Sequence, residues 1–510
     1  MPKPIYLDGQ SLTLAKLRSF LQESPRVRLD PAARADLAKS RRFLVRKLED
    51  PTPLYGINTG VGALKSVRIP AADRLQLQRN LIRSHSAGHG PPFPADVVRT
   101  TLIIQANNLA RPFSAVRPEV VEKLLEFYNK GLVPLVPKYG SVGASGDLIP
   151  LAHVALALMG EGHLLLDGSR VPVGRVLQNR GVRPLDPQEK EGLSLINGTA
   201  LSSALLALGL IRLENLLDSA EIAAALSTEV LMGSPHAFSS RALRARPHPG
   251  ALLTGERLTR LMAGSGIVAS HEGCGRVQDA YSIRCTPQVL GAVRDLASWA
   301  RSVLEIELNA STDNPLVFPS AGEVVFAGNF HGEPLGLAAD ALRVAVVELA
   351  GISERRLYRL LDPVLSEGLP PFLAAAGGLN SGYMMAQYLA ASLLGEMKVL
   401  ATPATKENIV TSAGQEDFVS FSNISGGLLL DVLEKAAAIL AVELLLGCQA
   451  YEFRKPLPLG EGTGRAFRLV RSKVKRLTVD RPLEAEIDNI CSMVISGELV
   501  RAVWGPAGPT

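Results

Sequence analysis

Five alanine- and leucine-rich stretches dominate the chain after its midpoint and just before it: residues 200–231, 288–307, 334–361, 383–400 and 426–449. No proline interrupts their interiors, and apolar residues recur throughout. Each therefore predicts a helix of roughly 20 to 30 residues, against a globular mean of about 11–12. Residues 201–210 and 436–446 are apolar on more than one face, which one packing layer cannot cover. The expected fold is mainly α, with long central helices forming a bundle that continues across subunits.

The N-terminal part carries shorter elements with readable ends. Asp30 before Pro31 pairs an N-cap with a first-turn proline, and Leu37, Phe43, Leu44 and Leu48 follow at helical spacing. Arg117-Pro118-Glu119 opens a helix through Leu124, Leu125 and Phe127, with Gly131 placed to end it. Strand signals are few: Glu323-Val324-Val325-Phe326 and residues 168–173. No repeat at solenoid periods and no low-complexity linker marks off modules. The expected division is an N-terminal region over residues 1–199, a central long-helix bundle over 200–450 and a C-terminal helical region over 451–510, acting as one unit.

Composition narrows the function classes. Lys and Arg number 54 against 49 Asp and Glu, a net charge of +5 over 510 residues, which supplies no strong field for nucleic acid or membrane. The basic run over residues 465–481 spreads its charges around a helix, as a solvated face does. Cys274, Cys285, Cys448 and Cys491 fit neither paired zinc ligands nor a disulfide framework. Glu214, Glu221, Glu434 and Glu443 interrupt the most apolar runs before the roughly 18 residues of a membrane span. The first residues, Met1-Pro2-Lys3-Pro4-Ile5, lack a secretory apolar core. A cytoplasmic protein is expected.

Several loops invite chemical readings that their spacing rejects. The run from Gly60 to Ser66 fails the phosphate-loop pattern, and His271-Glu272 has no second ligand pair for a metal. Ser145 sits outside any hydrolase nucleophile elbow. It belongs instead to Gly140-Ser141-Val142-Gly143-Ala144-Ser145-Gly146-Asp147, a small-residue loop opening into an apolar helix. Ala144-Ser145-Gly146 permits a tight turn in which the glycine nitrogen approaches the alanine carbonyl carbon. Ring closure and loss of water would leave the serine carbon as an exocyclic methylidene. From the tripeptide alone, a plain glycine turn with Asp147 as helix cap is the simpler reading.

The longer run resembles the signature of the aromatic amino acid ammonia-lyase family, and the likeness extends along the chain. It includes Tyr55-Gly56-Ile57-Asn58-Thr59-Gly60, Leu195-Ile196-Asn197-Gly198-Thr199, Gln278-Asp279-Ala280-Tyr281-Ser282-Ile283-Arg284, Asp313-Asn314-Pro315, Gly328-Asn329-Phe330-His331-Gly332 and Gln415-Glu416-Asp417. The resemblance implies a 4-methylidene-imidazol-5-one electrophile (MIO) built autocatalytically from Ala144, Ser145 and Gly146, with no external cofactor and no metal. It also implies a homotetramer with active sites shared between subunits, and a smaller N-terminal region carrying the active-site loops.

Such an electrophile answers a chemical need. Removing ammonia from an amino acid takes off a weakly acidic β-hydrogen and expels a poor leaving group, and side chains supply mostly nucleophiles. The resemblance implies that Tyr55 removes the β-proton, which requires a depressed pKa or concerted proton loss, because a phenol near 10 is protonated at neutral pH. Tyr281 and Glu416 match further catalytic positions. Arg284 matches the residue that grips the substrate carboxylate, a task suited to a planar guanidinium. Asn197 and Gln278 match polar partners of electrophile and substrate, and Phe330 a residue lining the pocket.

The substrate follows from two segments. Ser84-His85-Ser86-Ala87-Gly88 and Gln415-Glu416-Asp417 are similar to the histidine-acting branch of the family. His85 and Glu416, with Gln415, can pair an imidazole, and a polar pocket discriminates strongly against rings that leave it unpaired. The branch implies conversion of L-histidine to trans-urocanate and ammonia, the first step of histidine degradation; the alternative is a tyrosine or phenylalanine ammonia-lyase or an aromatic aminomutase. Gly414, Ser86 and Phe418 depart from the branch pattern and bear on pocket shape.

Overall fold

A computed structural model describes residues 4–506, 508 and 509; the other positions, including the first three of the N-terminal run, lie outside the described residues. The chain divides into two compact units, each assembled from separated stretches. One takes the chain up to Leu208 with Arg301–Asp340 and Pro403–Gly427; the other takes Gly209–Ala300, Ala341–Thr402 and the chain from Leu428.

The five expected helices form as Ala200–Val230, Thr286–Leu308, Glu333–Leu361, Met384–Leu400 and Ser422–Tyr451. The fourth has 17 residues, shorter than expected, because Tyr383 takes the N-cap place and the chain turns at Ala401. The shorter elements end as their caps direct. Asp30 accepts the N–H groups of Ala32 and Ala33 at 2.8 and 3.2 Å ahead of Pro31–Lys47. Pro118–Asn129 closes at Gly131, whose φ of 62° is open to glycine at little cost. Ser169–Pro172 pairs antiparallel with His163–Leu166, and Glu323–Val325 with Leu316–Phe318.

Residues 201–210 and 436–446 correct the argument from apolar faces. Both are already buried by the chain itself, Ala438 alone being half-buried, so no partner is needed to cover them. The apolar residues left exposed lie elsewhere. On Met384–Leu400, Met385, Tyr388 and Val399 share one solvent face while Ala386, Ala390 and Met397 are buried.

By length and composition the Ala200–Val230 helix is apolar enough to cross a membrane, with a mean hydropathy of 1.5 over its most apolar window. Glu214 and Glu221 do not interrupt it sufficiently, contrary to expectation. Of that window 78% is buried within the protein, as in a core helix. Its charge is neutralised in place: the fully buried Glu221 accepts Thr254 Oγ1 and Arg294 Nη2, both at 2.8 Å. Glu443 is likewise fully buried and paired with Arg356 at 2.5 Å, with Ser227 donating to the same carboxylate at 2.7 Å. These pairs satisfy charges whose isolated burial would cost several kcal/mol each.

In the first unit, Leu44, Leu54, Ile57, Ala115 and Val317 form one core cluster, with Phe43, Leu48 and Val324 packed against it. Leu54 and Ile57 flank Tyr55 and Gly56 in sequence. Burying both anchors the turn between them and leaves Tyr55 at its apex.

Candidate active site

Polar contacts complete the Tyr55 turn. Asn58 Oδ1 accepts the Leu54 N–H at 2.7 Å, and Asn58 Nδ2 donates to Thr52 O at 2.9 Å. Gln78 Nε2 donates to Gly56 O at 3.0 Å, tying the turn to a helix from Arg74 to His85. The Gly62 N–H donates to the Tyr55 hydroxyl at 2.9 Å. Burial holds the Tyr55 phenol above its ordinary value; the Glu416 carboxylate adds to the rise and the Gly62 N–H opposes it. In the single chain the Tyr55 phenol is therefore shifted opposite to the depression that a standing phenolate requires.

Ala144-Ser145-Gly146 forms a tight turn with Ser145 at a φ of 52° and Gly146 at 81°. A positive φ is uncommon for serine and costs about 1–3 kcal/mol, so surrounding contacts must hold it. They are visible. Asp147 N–H donates to Gly198 O at 2.7 Å, and Gly198 N–H to Ser145 O at 3.4 Å. A Cβ on Gly146 would come within 2.2 Å of Gly198 O and 2.8 Å of Phe330 O, and backbone cannot yield as a flexible side chain would. Asp147, fully buried, does not cap its own helix, Leu148–Leu158. It accepts Leu201 N–H at 2.6 Å, Ser202 N–H at 3.0 Å, Ser202 Oγ at 2.6 Å and Asn423 Nδ2 at 2.7 Å. Burial outweighs these four donors and pushes its carboxyl up to about 6.

A cavity of about 720 Å³ in the first unit brings Tyr55, Ala144, Ser145, Asn197, Phe330, Gln415 and Glu416 together. Gly146 lies buried directly behind Ser145. Thr411 Oγ1 donates to Glu416 Oε2 at 2.8 Å, and a backbone bridge between the same residues fixes the loop. Asn197 Nδ2 donates to Asn314 O at 2.9 Å, so the wall is built from residues far apart in sequence. Phe326, Phe330 and Phe418 make it partly aromatic, and the His331 ring lies 5.9 Å from the Phe418 ring, tilted by 32°. A larger hollow in this unit, about 820 Å³ and lined by Arg26, Arg28 and Arg99, holds none of the candidate residues.

Four sequence candidates are not among the residues that line this cavity. His85 ends its helix with Nδ1 donating to Leu81 O at 2.8 Å and does not line the cavity. Gln278, Tyr281 and Arg284 belong to the second unit. Tyr281 is 72% exposed, with the Arg284 guanidinium 4.5 Å over its ring, and the buried Arg284 Nε has no hydrogen-bond partner among the described residues. Lys65 and His331 line the cavity although neither was singled out for chemistry. Lys65 sits in the loop discounted as a phosphate site, where its Nζ donates to Gln415 Oε1. Among the described residues, no three His, Cys, Asp or Glu side chains cluster as metal ligands would.

Comparison with known proteins matches this architecture. The aromatic amino acid lyase family model matches residues 12–472. A histidine ammonia-lyase from Anaeromyxobacter sp. (strain K) is 45% identical over 504 residues, covering 97% of this chain and 99% of that protein. The crystal structure of histidine ammonia-lyase from Trypanosoma cruzi superposes with a TM-score of 0.91 at 39% identity, covering 99% of this chain and 96% of that one. Tyrosine aminomutase from Streptomyces globisporus superposes with a TM-score of 0.94 at 36% identity, covering 98% of each chain. With a tyrosine, an Ala-Ser-Gly turn and a Gln-Glu pair around one cavity, and a match over most of its length, this chain belongs to the aromatic amino acid lyase family.

Proposed function

We propose that this protein eliminates ammonia from L-histidine to give trans-urocanate, using an MIO group formed from Ala144, Ser145 and Gly146. The observation that carries the substrate is Glu416, with Gln415 beside it, in the same cavity as Tyr55 and Ser145. A carboxylate held by Thr411 at 2.8 Å suits the N–H of an imidazole and offers nothing to a phenyl ring. The curated relatives named as histidine ammonia-lyases support this choice.

The turn fits the modification. Ser145 and Gly146 occupy positive φ, Phe330 and Gly198 crowd Gly146, and Ser145 faces the cavity. MIO supplies an electrophile that unmodified side chains lack. The chain's own residues do the rest. Tyr55 Oη takes the β-proton in step with the chemistry, and Asn197 and Gln415 orient polar groups. Phe330 and Phe418 give one wall an apolar lining.

Carboxylate capture falls to Arg284, with Tyr281 and Gln278 beside it, supplied by another copy in a homotetramer. The exposed Met385, Tyr388 and Val399 support such assembly, since apolar groups sharing a helix face gain by burial. The four free cysteines are in keeping with a reducing cytoplasm.

Turnover of L-histidine, L-tyrosine and L-phenylalanine, assayed separately on purified protein, tests the substrate. Urocanate formation as the fastest reaction is expected. The three phenylalanines of the cavity favour, as second reading, an aromatic lyase or aminomutase; faster release of a cinnamate-type product, or a β-amino acid, would select it.

A further inference from the structure

Behind the cavity wall lies an ion pair with no assigned role. Lys190 is fully buried, and its Nζ donates to Asp313 Oδ2 at 2.5 Å and to Ser194 Oγ at 2.9 Å. Ser194 Oγ donates to the same Asp313 oxygen at 2.7 Å. The other oxygen, Oδ1, faces the site: it accepts the Asn314 N–H at 2.7 Å and Asn197 Nδ2 at 3.5 Å. Asn197 and Asn314 both line the cavity. Asn314 Oδ1 in turn accepts the Ala327 N–H at 2.9 Å, fixing the loop that leads to Phe330.

We propose that Lys190 and Asp313 are positioning residues, which act on the reaction by orienting Asn197 and Asn314. This inference deepens the lyase reading and rests on it. The two oxygens of one carboxylate divide the work. Oδ2 is held by a cation and a hydroxyl, which locks the carboxylate plane, and Oδ1 passes that orientation to two cavity residues. Asn197 Nδ2 is then engaged on the wall side by Asp313 and Asn314 O, so its Oδ1 is the group left to meet a ligand. The lysine also settles the charge. A lone carboxylate one residue behind the wall would repel the carboxylate of an amino acid, whereas the paired one holds the asparagines without adding net charge to the site.

A double-mutant cycle on the full chain tests this, with kcat and KM measured on L-histidine for wild type, Lys190→Met, Asn197→Ala and the double variant. Lys190→Met is expected to lower kcat/KM by about 10- to 100-fold, chiefly in kcat, as groups behind a functional residue do. In the Asn197→Ala background its further effect is expected to be under about threefold, because the residue it acts through is gone. Multiplicative losses in the double variant would overturn the proposal. Should Lys190→Met fail to fold, Ser194→Ala, which leaves the ion pair intact, takes its place in the same cycle. Hydrogen exchange supplies a readout independent of turnover: Lys190→Met or Ser194→Ala should speed exchange at the Asn314 and Ala327 amides, and unchanged exchange there would also overturn the proposal. A wild type that turns over no aromatic amino acid would defeat the lyase reading alone, and the exchange result would still decide the positioning role.

Discussion

Asp147 Oδ2 accepts the backbone N–H of Leu201 at 2.6 Å, so the residue that closes the Ala144-Ser145-Gly146 turn caps a helix 54 positions away. Its own helix, Leu148–Leu158, has no side-chain cap. The reactive turn is thereby fastened to the first turn of the Ala200–Val230 helix, where an acceptor satisfies two orphan N–H groups and meets the positive end of the helix dipole.

The Asp147 carboxyl should make stability depend on pH. Burial raises it from 3.8 to about 6, so folding favours its protonated form. That contribution is complete below the lower value and is lost as pH rises through the upper one, an effect of about 3 kcal/mol. Asp147→Asn cannot titrate. Between about pH 4 and pH 7, urea unfolding should show wild type losing about 2 kcal/mol of that relative to the variant. A difference that stays constant across that range would mean that Asp147 does not bind a proton on folding.

Ser145→Ala removes the hydroxyl that cyclisation must eliminate. Intact mass of wild type should fall short of the sequence mass by two waters, and the variant should retain both. Turnover should drop by roughly 10³-fold or more, the scale on which covalent catalytic groups are lost. A variant lacking two waters would show that another residue supplies the methylidene carbon.

Arg356→Met strands Glu443 in the second unit. Both partners are fully buried, and Ser353 and Ser227 also donate to the carboxylate. Urea denaturation should show a loss of about 3–5 kcal/mol, largely recovered by adding Glu443→Leu. A loss below about 1 kcal/mol would mean that water reaches the pair.

Val399→Asp tests assembly. The side chain is 74% exposed in the single chain, so the substitution should change protomer stability by no more than about 0.5 kcal/mol. If this face is covered by another copy, light scattering should find wild type as a tetramer and the variant as smaller species. An unchanged tetramer would exclude Val399 from the interface.

The helices were legible because their cause is local. A backbone bond to the fourth residue before makes apolar spacing visible in a short window, and Asp30 and Gly131 mark ends within a few residues. Tyr55, Ser145 and Glu416 were legible as motifs, each carried by its neighbours. Lys65 was not: its partner Gln415 is 350 residues away, and nothing beside it in sequence points there. His85 shows the converse, since its motif was clear while its ring bonds back to its own helix at Leu81.

Glu221 and Glu443 mark the boundary between the two kinds of information. Written in a line, they are charges that break an apolar run. Folded, each meets an arginine, the half-buried Arg294 or the fully buried Arg356, and becomes part of the core. Periodicity, caps and the Ala-Ser-Gly turn belong to the order of residues, because they depend on a few bonded neighbours. Which carboxylate is neutralised, which helix Asp147 caps and which side chains line the cavity with Tyr55 depend on distances across chain separations of 50 to 350 residues, and only tertiary packing sets those distances.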